Sequence, residues 1–138
     1  MASNLGIIEG FYGEPWSWGE RADWVSFLRK NGFGFYIYAP KGDAYLRKKW
    51  REPFPKVHEE KLSKLSVQCH NIGLDFGVGF SPYEIYRDFG RDVKVALERK
   101  LAFLADMGTT YLAILFDDMR GDLPDLAAEA VDLGLRER

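Results

Sequence analysis

Cysteine is almost missing from this chain. Cys69 stands alone among 138 residues, so no disulfide can form within it. Its place in a helical pattern marks it as a small buried hydrophobe rather than a reactive thiol. Long apolar runs are missing too, and nothing approaches the ~20 residues that cross a bilayer. The opening Met1-Ala2-Ser3-Asn4 lacks the basic segment and apolar stretch of a secretory signal. The expectation is a cytoplasmic protein with no membrane partner. Excess charge of one sign is absent: 19 Lys and Arg face 21 Asp and Glu, for a net charge of −2. The longest basic run is Arg47-Lys48-Lys49, too short for a polyanion-binding stripe, which argues against nucleic acid. The glycine-rich dinucleotide fingerprint does not occur, because Gly10-Phe11-Tyr12-Gly13 has the wrong spacing and leads to Pro15. His58 and His70 lie too far apart to pair as metal ligands, and both read as surface or helix-face residues.

What is present is a soluble globular composition, 46% apolar and 29% charged, with 15% aromatic residues. Aromatic rings serve both cores and sugar platforms, so the last figure leaves both uses open. Trp16 and Trp18 read as core or rim packing. Four β-like runs alternate with helical patterns. Leu5 to Glu9 reads as a strand. Ser17 then opens a helix with Glu20 as its capping-box partner, an apolar face of Trp24, Phe27 and Leu28, and a stop at Asn31-Gly32. Phe33 to Tyr38 is the second strand, followed by a long loop holding Lys41, Asp43, Trp50 and Arg51. A helix from about His58 to Asn71 buries Leu62, Leu65 and Cys69 and ends at Gly73. Leu74 to Phe80 is the third strand. Asp92 is placed to cap a third helix with Val93, Ala96, Leu97, Leu101 and Leu104 inward. Tyr111 to Phe116 is an almost unbroken apolar run, which suits a strand buried on both faces. A last helix is expected from about Leu123 to Leu133.

This alternation predicts a parallel sheet covered by helices, either an open doubly wound sheet or part of a barrel. In a barrel, chemistry gathers at the carboxyl ends of the strands. Those ends read Glu9-Gly10-Phe11-Tyr12-Gly13, Ala39-Pro40-Lys41, Phe80-Ser81-Pro82 and Phe116-Asp117-Asp118. Adjacent carboxylates after a buried strand repel each other, so one of them is expected to hold its proton to a higher pH. An acid beside a carboxylate suits glycoside hydrolysis. The same pair also suits a metal site or a turn, Lys41 a solvated loop, and Gly10 and Gly13 a tight turn.

Four segments carry more than this. Gly6-Ile7-Ile8-Glu9-Gly10-Phe11-Tyr12-Gly13-Glu14-Pro15-Trp16, Tyr36-Ile37-Tyr38-Ala39-Pro40-Lys41, Trp50-Arg51-Glu52 and Leu115-Phe116-Asp117-Asp118 resemble glycoside hydrolase family 84 in order and spacing. These are the β-N-acetylglucosaminidases that include the O-GlcNAcases, and the resemblance covers roughly residues 5–123. It implies a (β/α)8 TIM-type barrel, of which residues 1–138 would be the amino-terminal half, the first four βα units. It also implies retaining, substrate-assisted hydrolysis through an oxazoline. Asp117 would orient the acetamido N–H, and Asp118 would act as general acid and then base. Gly10 would offer its carbonyl and Lys41 its ammonium to sugar hydroxyls. Neither a metal nor another cofactor is implied, and the partner is an N-acetylglucosamine-containing glycan or glycoprotein. Gly42 departs from the family pattern where an acidic residue is frequent, and Glu14 where a basic one is. A full barrel is ~250 residues, so four strands would leave open edges and an apolar inner face, with self-association the expected result. An inactive fragment, or a carbohydrate-binding module keeping Trp16 and Tyr12, is the competing reading.

Overall fold

The computed structural model describes residues 4–87 and 89–116. Strands and helices alternate as β1 (Gly6–Glu9), α1 (Trp18–Lys30), β2 (Phe35–Tyr38), α2 (Lys56–Ile72), β3 (Asp75–Phe80), α3 (Arg91–Asp106) and β4 (Tyr111–Ile114). The strands form one parallel sheet in the sequential order β1-β2-β3-β4. A doubly wound sheet would have placed β1 between its successors. That alternative falls.

The pleat divides the sheet into two unlike faces. Tyr36, Tyr38, Phe76, Val78 and Phe80 share one face and join Val25, Leu28, Leu62, Leu65, Cys69, Val93 and Leu104 in a single buried cluster. All three helices therefore contribute to a core on the same side of the sheet. The opposite face carries Gly6, Ile8, Phe35, Ile37, Gly77 and Gly79, and here small size is required. A Cβ on Gly79 would lie 2.4 Å from the Cβ of Ala39, and one on Gly77 would lie 2.9 Å from Cγ1 of Ile37.

Local signals explain the helices. Ser17 accepts the Glu20 N–H while Glu20 accepts the Ser17 N–H, so the capping box is complete. Gly73 closes α2 at φ 76°, a left-handed conformation that favours glycine. Leu62, Leu65 and Cys69 are buried as expected, and burial pushes the Cys69 thiol up to about 12. Among the described residues no helix is long and apolar enough to cross a membrane.

Three expectations need correction. The inward face of α1 is Arg21, Val25 and Leu28, whereas Trp24 and Phe27 are 37% and 52% exposed. The charge on Arg21 hid the true stripe. Gly90, not Asp92, is the N-cap of α3, and Asp92 lies in its first turn. Finally, β4 is not buried on both faces: Tyr111, Leu112 and Ile114 are exposed, and among the described residues it pairs only with β3. Strand limits also shift inward, since β1, β2 and β3 begin one or two residues after the expected Leu5, Phe33 and Leu74. The expected helix over 123–133 lies outside the described residues.

Candidate active site

Glu9 closes β1 and faces the helix layer. It is 1% exposed, and a lone buried carboxylate there would be costly. Arg21 meets it from α1 with a bidentate grip, Nε at 2.9 and 3.2 Å and Nη2 at 2.8 Å. The Tyr36 hydroxyl is the carboxylate's second partner and donates to Oε1 at 2.5 Å. Burial by itself would lower the Arg21 pKa, but the Glu9 carboxylate outweighs it and holds the guanidinium charged. Burial first, and then the Glu9 charge, raise the Tyr36 hydroxyl's pKa, which keeps it a donor.

The end of β2 repeats the device. The Tyr38 hydroxyl donates to Asp43 Oδ2 at 2.6 Å, and burial followed by the Asp43 charge raises its pKa. Asp43 Oδ1 accepts the Tyr45 N–H at 3.0 Å and so caps the short 3-10 turn Ala44–Leu46. His58 Nε2 from α2 stands 2.9 Å from Asp43 Oδ2 and 3.3 Å from the Tyr38 hydroxyl. Arg21 bridges the two clusters, its Cζ 4.5 Å from the Trp18 ring centroid and 5.1 Å from that of Tyr38. Trp18, Arg21, Tyr38, Asp43 and His58 line part of an open cleft of about 530 Å³ on this rim.

The predicted sugar contacts neighbour these anchors in sequence, Gly10 beside Glu9 and Lys41 two residues before Asp43. Gly10 follows Glu9, and Ala39 N–H bonds back to the Glu9 carbonyl at 3.1 Å, so the ends of β1 and β2 are level. A Cβ on Gly10 would meet only ordinary contacts, 3.6 Å to Ile8 and 3.9 Å to Ala39, and its φ is not positive. Neither packing nor backbone angle demands glycine there. Lys41 Nζ reaches to 5.7 Å from the Tyr12 ring centroid, so the loops after β1 and β2 meet. The end of β4 is registered by Leu115 N–H donating to the Phe80 carbonyl at 2.8 Å. Asp117 and Asp118 follow in sequence and lie outside the described residues.

Other quoted residues prove structural. Trp50 is buried, donates its indole N–H to the Tyr83 carbonyl at 3.0 Å and packs edge-on against Phe80. Trp16 stacks on Trp24 and meets Phe11 edge-on, which is the rim packing expected of it. Sequence reasoning missed Glu9, Arg21 and Asp43 as site supports and read His58 as a surface or helix-face residue. The available signal was Arg21 at helical spacing from Val25 and Leu28, since a cation on a buried stripe requires an anion opposite. Among the described residues no group of His, Cys, Asp and Glu could hold a metal.

The family model for beta-N-acetylglucosaminidase matches residues 5–133 of this chain. The chain belongs to that family. Its relatives include the protein O-GlcNAcases of Rattus norvegicus and Mus musculus, each 34% identical over 115 residues. Those alignments cover 83% of this chain but 12% of either relative, so the chain spans a small part of their length. Among solved structures, an O-GlcNAc hydrolase of Thermobaculum terrenum superposes with a TM-score of 0.76 at 34% identity, over 91% of this chain and 27% of its own. CpGH84B gives 0.76 at 36% identity, over 92% of this chain and 23% of its own. The family is one of glycoside hydrolases, as its motifs implied.

Proposed function

We propose that this chain supplies the first four βα units of a (β/α)8 barrel that hydrolyses β-linked N-acetylglucosamine with retention. The observation that carries this reading is the family match over residues 5–133, on a sheet whose order brings Gly10 and Lys41 to one edge. Helices on one side only, with close-approach glycines on the other, suit a sheet that curls into a barrel. Substrate is an N-acetylglucosamine-bearing glycan or glycoprotein.

The chemistry uses the sugar's own acetamido group. Its carbonyl oxygen attacks the anomeric carbon as the glycosidic C–O bond breaks, giving an oxazoline. Asp117 accepts the acetamido N–H and orients the attack, while Asp118 delivers its proton to the departing oxygen. Asp118, now a carboxylate, takes a proton from the water that opens the oxazoline, so the anomeric configuration is retained. Gly10 contributes its carbonyl and Lys41 its ammonium to hydroxyl recognition. A main-chain contact at Gly10 fits a glycine that nothing in the fold requires.

With β1 and β4 each paired on one side only among the described residues, and with Ile8, Tyr111, Leu112, Ile114 and Phe116 exposed, the chain by itself is expected to associate and to be inactive. The roles of the two aspartates separate in a leaving-group series on the completed barrel. Asp117→Ala should slow all substrates, activated or not. Asp118→Ala should slow poor leaving groups about a hundred-fold or more, spare activated aryl glycosides, and be rescued on them by azide. Equal leaving-group dependence in the two variants would show the roles misassigned, and a trapped glycosyl-aspartate ester would sink the substrate-assisted route.

A further inference from the structure

Stability is a poor explanation for the charges behind this rim. A buried ion pair is commonly replaced by apolar side chains of similar volume with no loss of stability. Yet six polar side chains, Glu9, Arg21, Tyr36, Tyr38, Asp43 and His58, are gathered behind the ends of β1 and β2. Their partners come from β1, α1, β2, the loop after β2, and α2, so each bond fixes one segment against another. Glu9 is the residue before Gly10, and Asp43 is two residues after Lys41. Between them runs a continuous chain of contacts, Glu9 to Arg21, Arg21 over the Tyr38 ring, and Tyr38 to Asp43. The two candidate sugar contacts are thus tied to the two ends of one buried network.

We propose that this network is a positioning device: it sets the spacing between the Gly10 carbonyl and the Lys41 ammonium, with Glu9 and Asp43 as its positioning residues. The proposal rests on the sugar-binding reading given above. Apolar contacts allow sliding by fractions of an ångström, whereas a bidentate guanidinium–carboxylate pair fixes both distance and plane. Sugar hydroxyls are recognised through directional hydrogen bonds, so the backbone presenting the acceptor must not drift.

The test separates geometry from stability. In the chain joined to the remaining portion of a family barrel, Glu9→Leu with Arg21→Met and Tyr36→Phe removes the first cluster together with all of its hydrogen-bonding needs. Thermal unfolding, the amide resonances of Gly10 and Lys41, and titration with N-acetylglucosamine are then compared with the parent. The expected result is a folded protein of similar midpoint, shifted resonances at both residues, and affinity reduced about ten- to hundred-fold, the scale of ångström misplacement. A folded triple variant that binds like the parent overturns the positioning role. A parent that does not bind N-acetylglucosamine overturns the underlying reading instead, and the proposal with it. Should the triple variant fail to fold, Asp43→Asn decides, because the amide keeps an acceptor for the Tyr45 N–H while losing the charge. Weakened binding with a displaced Lys41 resonance supports the proposal, and unchanged binding overturns it.

Discussion

Lys100 of α3 sits almost wholly buried, its ammonium donating to the carbonyls of Glu52 at 2.8 Å and Tyr45 at 3.1 Å and lying 4.4 Å from the Phe54 ring centroid. It pins the loop that carries Lys41 and Asp43 onto the helix layer. Burial pushes its pKa down to about 8 from 10.5, against the opposing pull of Asp43 and Glu52. The folded state therefore releases this proton before the unfolded chain does. Between about pH 8 and 10.5 the unfolded state binds more protons, so this group makes stability rise with pH across that window. Below pH 8 both states are protonated and the cost is constant. Urea unfolding from pH 7 to 10 should show this rise in the parent relative to Lys100→Met. Parallel curves would contradict it. Arg21 tests a different charge: Arg21→Ala strands the Glu9 carboxylate and should cost about 3–5 kcal/mol, read from the same unfolding curves. Gly10→Ala should do the reverse of both. With only ordinary contacts awaiting a methyl group, stability should change by less than about 1 kcal/mol, while affinity for N-acetylglucosamine falls at least several-fold. Unaltered affinity would remove Gly10 from the site.

At the scale of elements, one of the two glycines of β3 matters more than any helix cap. Gly79 stands where a Cβ would be 2.4 Å from Ala39 and 3.1 Å from Leu115, so β2, β3 and the end of β4 all close on it. Gly79→Ala should cost about 1–3 kcal/mol as the strands part, and should disturb the Ala39-Pro40-Lys41 turn; an unchanged unfolding midpoint would contradict this. Ser17→Ala, by contrast, loses one exposed capping bond and about 1 kcal/mol. Elements governed by neighbours in sequence were legible without the structure. Ser17 with Glu20 announced α1, Gly73 ended α2, and the spacing of Leu62, Leu65 and Cys69 gave the buried face. Elements governed by distant partners were not. Trp24 and Phe27 outranked Arg21 as core candidates because the Glu9 that neutralises Arg21 lies twelve positions away on β1. β4 read as doubly buried because an apolar run reports what a strand can bury, not what lies beside it. The candidate site divided the same way: linked motifs pointed to Gly10 and Lys41 as candidates, whereas Asp43 and His58 meet only after α2 folds back.

The described residues form an all-parallel sheet with helices packed on one side and a glycine-lined face on the other, and both β1 and β4 lack a second partner among them. Parallel strands with open edges are rarely left so. That is why the chain is expected to sediment as a concentration-dependent assembly; a monodisperse monomer at high concentration would contradict open edges. The central claim is that these residues form the first half of an N-acetylglucosaminidase barrel. The direct measurement is hydrolysis of a chromogenic aryl N-acetyl-β-glucosaminide, by this chain alone and by the chain joined to the remaining portion of a family barrel. The account predicts no chromophore release from the chain alone, and turnover by the joined protein that disappears in Asp117→Ala. A folded joined protein that binds N-acetylglucosamine but never hydrolyses the substrate would contradict it, as would turnover that survives loss of Asp117.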